Sequence, residues 1–399
     1  MNKYMIYSLM LVMAFFTTGC SDDDDKTTGT EEEVIEAVQP TKTNKMNVYI
    51  HYMPWFETPE TNGGKWGSHW TMANCDPNIV DENGRRQIAS HYYPITGPYA
   101  STDEAILDYQ CLLMKYAGAD GLMIDWYGTQ NVNDYPANKR NTEAIVKALT
   151  RAGLKFSIVY EDATLSNASD MVTQARLDMK YLAQTFFKMD NYAKVKDNRP
   201  LLLAFGPQQM KSPKDWYRTF SILYTQPMFI SLNGHSAGAN NADYQMSQGE
   251  FVWVNDKPNY ALADRYEMYI AGAMPGFHDY YKEGGVGEGY PTYPHEDGAL
   301  FQRQLDAAKA ANLEWLQIST WNDYGEGTTI EPTEEYGYKY LTALQKFTGV
   351  SYSQSDLELI YRWYKVRVAK PNDDRVKEAY NYLVKLQPDK AASIIKGLE

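Results

Sequence analysis

The chain has 399 residues and a formal net charge of −13, with 51 acidic against 38 basic side chains. An acidic balance of this size argues against nucleic acid as a partner, because a polyanion is repelled. Tyrosine is frequent, at 33, and tryptophan adds 9; both carry a flat apolar face and a polar edge, which suits a carbohydrate cleft, although such rings also pack at half-buried positions.

The first twenty residues read as a targeting segment. Lys3 supplies a short positive end, and the apolar run Met5 to Phe16 is too short to span a bilayer. Thr17-Thr18-Gly19-Cys20 follows. Small residues ahead of a Cys resemble the lipobox of bacterial lipoproteins, with Thr17 where Leu is usual; the resemblance implies that Cys20 is lipidated and begins the mature chain. Ser21 and the run Asp22 to Asp25 resemble a surface-export signal of such lipoproteins, with a solvated linker as the plainer alternative. Residues 26–44 are rich in Thr and Glu and read as a flexible tether. The expected organisation is a signal at 1–20, an acidic tether at 21–44, a catalytic barrel at 45–350 and packed helices at 351–399. The expected location is the outer membrane, lipid-anchored and exposed at the cell surface.

Strand-length apolar runs then alternate with helix-like stretches. The strands are Asn47–Trp55, Gly121–Trp126, Lys155–Glu161, Pro200–Phe205, Met228–Leu232, Phe251–Val254, Ala271–Phe277 and one opening at Trp315. Helices are expected near 103–116, 141–152, 168–187, 216–223 and 298–311, then over 333–347 and 355–399. Continuous apolar strands between amphipathic helices imply a parallel sheet covered on its faces. Eight such units predict an α/β fold, a (β/α)8 TIM barrel with a C-terminal helical extension. An open doubly wound sheet is disfavoured, because no Gly-rich phosphate loop follows the first strand. The sixth and seventh units are the weakest, being dense in Gly and Pro with poor helix signals.

Barrel enzymes place their chemistry at the C-terminal ends of strands. Here those ends read His51-Tyr52-Met53-Pro54-Trp55, Asp125-Trp126-Tyr127, Tyr160-Glu161-Asp162, Asn233-Gly234-His235, Asn255-Asp256, His278-Asp279-Tyr280 and Asn322-Asp323 with Glu326. Acids, amides and rings on one face suit a sugar. A single Asp at a strand end also caps helices, so Asp162, Asp256 and Asp279 read equally as loop anchors. Glu161 is a poorer turn residue and points more to function. Cys75 and Cys111 leave one disulfide open but unspecified. No CxxC or HExxH spacing occurs, and no metal or cofactor is expected.

The most informative stretch is Trp315-Leu-Gln-Ile-Ser-Thr-Trp-Asn-Asp-Tyr-Gly-Glu-Gly-Thr328. It runs as a strand and breaks into a polar turn that holds two carboxyls three residues apart, Asp323 and Glu326. Two carboxyls among aromatic residues are the equipment of glycosidic hydrolysis, provided their surroundings push their pKa values apart.

Trp321 to Thr328 resembles the eighth-strand catalytic motif of glycoside hydrolase families 71 and 99. Trp321 to Glu326 follows the family 71 form; Gly327, Thr328, Ile330 and Glu331 follow the family 99 form. His51-Tyr-Met-Pro-Trp55, Gly121 to Gly128 and Pro275-Gly276-Phe277 resemble the wider group, so the likeness spans roughly residues 45–347. The resemblance implies a barrel and an endo-acting α-glycosidase without an essential metal. It makes Glu326 the general acid and Asp323 the general base. In family 99 the base position is Glu and acts on the sugar 2-hydroxyl with retention; in family 71 it is Asp, in an inverting mechanism. Asp323 is one methylene shorter than the family 99 residue, and Gly325 stands where family 99 has His, so stereochemistry and mannose specificity stay open.

The expected reaction is hydrolysis of internal α-glycosidic bonds in an α-mannan or α-glucan. Asn322 is expected to help keep Asp323 ionised. Glu161 and Asp125 are expected to hold sugar hydroxyls or tune the acid, and Trp55, Trp126 and Tyr127 to stack on sugar rings. Tyr52 and His278 complete the expected substrate contacts. The alternatives are a non-catalytic surface glycan-binding lipoprotein and a hydrolase of another glycan linkage. Expected partners are a polysaccharide or oligosaccharide and, through the anchor alone, a membrane; the expected state is a monomer.

Overall fold

Eight parallel strands close on themselves in this computed structural model, which describes residues 36–399. They are β1 (Asn47–Tyr52), β2 (Gly121–Trp126), β3 (Lys155–Tyr160), β5 (Arg199–Ala204), β6 (Met228–Leu232), β7 (Gly249–Phe251), β8 (Met268–Ala273) and β9 (Trp315–Ile318). Registers such as Tyr49 with Gly121, Ile158 with Leu202 and Ile270 with Trp315 lead round to Asn47 beside Trp315, which shuts the ring. A two-residue strand, β4 (Lys194–Val195), pairs antiparallel with β5 outside it.

Side chains alternate across each strand, and this parity sets the whole interior. Tyr49, Met123, Val159, Leu201, Leu203, Ile230, Phe251 and Ile270 fill the barrel. Their neighbours Val48, Ile50, Leu122, Ile124, Phe156, Ile158, Leu202 and Ala204 face the helices instead. Both faces are buried, which is why the strands read as unbroken apolar runs.

The helical layer comprises α2 (Glu104–Tyr116), α3 (Tyr135–Ala152), α4 (Met171–Thr185), α5 (Pro213–Phe220), α6 (Ala299–Ala310) and α7 (Lys339–Thr348), with a short α1 (Ser68–Thr71) above β1. The Asp103 carboxylate caps α2 by accepting from the N–H groups of Ala105 and Ile106. Among the described residues only single 3-10 turns, Ser236–Gly238 and Ala263–Arg265, follow β6 and β7. That agrees with the poor helix signal of the sixth unit, β7, whereas the seventh, β8, is followed by α6; β7 and β8 begin two and three residues before their expected starts.

The tail expected to be helical forms α8 (Gln354–Ala369), α9 (Asp374–Val384) and α10 (Pro388–Lys396), with α8 seated on α2. Tyr109 of α2 meets Tyr361 and Tyr364 of α8, and the Trp363 indole donates to the Val376 carbonyl at 3.0 Å. The folded body also starts earlier than residue 45. Lys42 pairs with Asp120, and the Asn44 backbone and side chain bond the carbonyls of Thr348 and Phe347. Residues 36–44, expected to be tether, therefore lie against the barrel. The expected signal, Cys20 and the acidic run lie outside the described residues. Cys75 and Cys111 are both free, the latter buried in α2, so the open disulfide is not formed.

Candidate active site

The inward parity continues past the strand ends and builds a cavity there. His51, Met53 and Trp55 leave β1, Asp125 and Tyr127 leave β2, Glu161 leaves β3, Phe205 leaves β5 and Trp253 leaves β7. With Asp323, Glu326, His69 of α1, Tyr135 at the start of α3, Asp134 before it and Tyr281 of the loop after β8 they line about 460 Å³, the size range of small-ligand sites. One wall is apolar, with Trp253 edge-on to His51 and Phe205 (ring centroids 4.5 and 5.0 Å). The rest of the lining carries five carboxyls, Asp125, Asp134, Glu161, Asp323 and Glu326.

The turn after β9 is held by its own hydrogen bonds. The Asp323 N–H donates to Thr320 Oγ1 at 2.8 Å, and the Glu326 N–H donates to Asp323 Oδ1 at 3.0 Å. Gly327 follows at φ +67°, where a Cβ would lie 2.5 Å from the His278 carbonyl oxygen, so the turn needs glycine at this point. The loop after β8 is zipped to this turn, because the N–H groups of His278 and Tyr280 donate to the carbonyls of Glu326 and Gly325. The Asp279 carboxylate pinches that loop by accepting from the N–H groups of Tyr281 and Tyr290. This brings the Tyr281 hydroxyl to Glu326 Oε1, 3.1 Å away.

The carboxyls differ in setting. Burial, then the neighbouring Asp323 charge, pushes Glu326 up to about 8, against a hydrogen bond from Tyr281 that lowers it. Glu326 Oε2 is buried and has no partner among the described residues, and an unpartnered buried oxygen is far cheaper to keep as a neutral acid than as a carboxylate. Asp323 is also raised by burial, but only to about 6, because the N–H groups of Glu326 and Gly325 and the nearby His69 favour its charge. Asp125 is pushed up to about 8 by burial and then by Asp323. Glu161 is pushed up to about 9 by burial and then by Asp125.

Of the residues expected to touch substrate, the structure brings Trp55, Asp125, Tyr127 and Glu161 together around the Asp323 and Glu326 pair. Four others lie elsewhere. Tyr52 and Trp126 have the opposite parity: Tyr52 faces the helices and donates to Gln110 at 2.9 Å, and Trp126 stacks on Tyr181. Asn322 is fully buried, donating to the Met53 carbonyl and accepting from the Met53 N–H, so its amide pins two loops and is not free for Asp323 or a sugar. His278 stacks on His91, ring centroids 3.7 Å apart, beyond the cavity walls. Asp162 is a loop anchor, accepting from the N–H groups of Gln208, Gln209 and Met210.

Several cavity residues had not been singled out. His69 stacks on Trp55 at 4.2 Å and bonds Asp134 at 3.2 Å. Tyr281 arrives on a loop, and Asp134 and Tyr135 at the entry to α3, where spacing carries no signal. Met53, Phe205 and Trp253 carried one, since each continues the inward parity of its strand. Glu331 sits behind the motif turn, its carboxyl accepting from Gln110, Tyr99 and Tyr324, and burial raises it to about 7.

No family model matches the chain. Curated relatives do match. The human glycoprotein endo-alpha-1,2-mannosidase-like protein is 23% identical over 331 residues, 73% of this chain and 70% of that protein. Its zebrafish (Danio rerio) counterpart is 22% identical over 320 residues, 71% and 70% of the two chains. The glycoprotein endo-alpha-1,2-mannosidase of mouse (Mus musculus) is 21% identical over 334 residues, 72% and 68% of the two. Among solved structures, the GH99 endo-alpha-mannosidase of Bacteroides thetaiotaomicron superposes with a TM-score of 0.60 at 17% identity, covering 77% of this chain and 99% of that one. The chain is similar to these endo-alpha-mannosidases over most of its length, and the structural likeness shows a shared barrel fold. The barrel places its Asp323 and Glu326 turn at the C-terminal end of β9, as barrel enzymes do.

Proposed function

We propose that the chain is an endo-acting glycoside hydrolase that cleaves internal α-glycosidic bonds, with an α-mannan as first candidate and an α-glucan as second. The observation that carries this reading is the contrast inside one cavity: Glu326 is kept protonated by burial and an unpartnered oxygen, while Asp323 is kept closer to ionised by two N–H groups. A proton donor and a base in one cavity are what glycosidic cleavage requires. Glu326 protonates the leaving oxygen. Asp323 activates either water or the sugar 2-hydroxyl. Tyr281 orients the acid and stabilises the carboxylate left after proton transfer. Asp125 and Glu161 are held as neutral acids near pH 7 and bond sugar hydroxyls, and the exposed parts of Trp55 and Tyr127 meet ring faces.

The sugar assignment rests on the relatives, whose names specify endo-alpha-1,2-mannosidase. The family 71 form of Trp321 to Glu326 keeps the glucan arm. The test is product analysis on α-mannan and α-1,3-glucan with Glu326→Gln alongside. Internal oligosaccharides from one polymer, lost in the variant, name the substrate. Affinity without products from either polymer favours the binding-protein alternative. Proton NMR of the first-formed reducing end separates water attack from 2-hydroxyl participation.

The same reading carries the chain to the bacterial outer surface as a monomer anchored through Cys20. Its support is the small-residue stretch before Cys20 and the acidic run after it. Loss of palmitate labelling in Cys20→Ala is the expected result.

A further inference from the structure

We infer that the flank of the barrel carries a second glycan-binding groove, one that takes an anionic polysaccharide bearing uronate or sulfate groups. The groove holds about 840 Å³ and runs between α4, the turn after α5 and the β4–β5 pair. It includes Pro200, near the start of β5, so it lies towards the end of the barrel opposite the carboxyl cavity.

Its charge sets it apart. Arg176, Lys180, Lys188 and Lys194 line it, and no acidic residue does, in a chain with 51 acidic against 38 basic residues. Ion pairs nearby use other side chains, Lys196 with Glu267 and Arg218 with Asp215. Among the described residues the four groove cations pair with no carboxylate. Arg176 and Lys180 stand four apart on α4, so they share one helix face, where like charges cost a few tenths of a kcal/mol (~0.2–0.5). The fold keeps that repulsion without an internal partner to offset it.

The second feature is aromatic. Tyr224 is 106% exposed at the groove rim, and Leu177 beside it is 53% exposed. A ring held fully in water contributes nothing to the core and offers a face on which a pyranose can stack. Gln184 and Asn198 add amides that can bond hydroxyls. Cations, amides and an open ring suit a hydroxyl-rich anionic chain better than an acyl chain. The rest of the surface is net negative and repels such a polymer, which confines binding to the groove. This site goes beyond the proposed hydrolysis and does not depend on it.

The experiment is affinity electrophoresis of the purified full-length chain in native gels containing dextran, dextran sulfate or polygalacturonate, with flotation on phosphatidylglycerol vesicles beside it. Retardation by the two charged polymers and not by dextran is expected, weakening as salt rises. The triple variant Arg176→Ala/Lys180→Ala/Lys188→Ala is expected to lose about tenfold or more in affinity. Tyr224→Ala should lose several-fold on polygalacturonate. All four positions are exposed or form the rim, so folding is not at stake, and turnover in the carboxyl cavity should be unchanged. Equal retardation of the parent and triple variant overturns the site. Full loss in the triple variant with none in Tyr224→Ala reduces it to a plain anion patch and overturns the glycan assignment. Vesicle binding without polymer binding overturns it in favour of lipid.

Discussion

Glu326 has one oxygen bonded by Tyr281 and one with no partner among the described residues, and this asymmetry fixes what each atom can do. Oε1 accepts; Oε2 is where a proton costs least. If Glu326 titrates near 8 and Asp323 near 6, hydrolysis needs the first protonated and the second ionised. A plot of kcat/KM against pH should then rise through about 6, level off, and fall through about 8. The Tyr281 hydrogen bond favours the charged form of Glu326. Tyr281→Phe should therefore move the falling limb to higher pH while lowering kcat, and a limb that stays in place would assign it to another group. Glu326→Gln is expected to lower kcat by about 10²–10⁴, with binding retained. At this scale Glu161 was legible as a poor turn residue and Asp323 and Glu326 as a carboxyl pair, whereas Asp162 and Asp279, placed at strand ends in the same way, are loop anchors. The rings were legible only through parity. Asp125 and His51 point inward, so Trp126 and Tyr52, one residue on, must point at helices. Tyr281 and His69 could not be read, since loop closure in three dimensions brings them in.

Asn322 shows how elements are tied. Its amide takes both backbone groups of Met53, fully buried, and so fastens the turn after β9 to the chain leaving β1. Asn322→Ala would orphan a buried N–H and weaken a buried carbonyl. The expected cost is about 2–3 kcal/mol, read as a lower urea midpoint with an unchanged slope. An unchanged midpoint would mean that the two loops hold position without it. The order of strands and helices was legible because each strand is apolar on both faces and each helix is apolar on one. β7 and β8 were displaced by a few residues because Gly and Pro there blur the alternation. Residues 36–44 were misread as tether because they are polar; their hold on the barrel comes from single bonds such as Lys42 to Asp120, which leave no periodic trace.

The whole molecule carries its chemistry at a cost in stability that depends on pH. Asp125, Glu161, Glu326 and Glu331 are all raised, mainly by burial, to about 8, 9, 8 and 7. Unfolded, such groups titrate near 4. Between those limits the folded chain binds more protons than the unfolded one. Stability is then fully present below about pH 4 as far as these groups are concerned, and it is lost as pH rises towards 9. Each group alone contributes a slope of about 1.4 kcal/mol per pH unit across its window, and mutual coupling spreads the losses. Net charge of −13 adds repulsion in the same direction, so a falling curve by itself does not identify the source. The discriminating comparison is the urea midpoint at pH 5.5 and 8.5 for the parent and for Asp125→Asn/Glu161→Gln. The parent should be less stable at pH 8.5. The double variant removes two buried ionisations while changing net charge by little, so it should flatten the slope and gain stability at pH 8.5 while losing turnover. That is the exchange expected where a site is built for function at the expense of stability. A double variant as steep as the parent would place the pH dependence on the surface and remove Asp125 and Glu161 from the set of buried neutral acids.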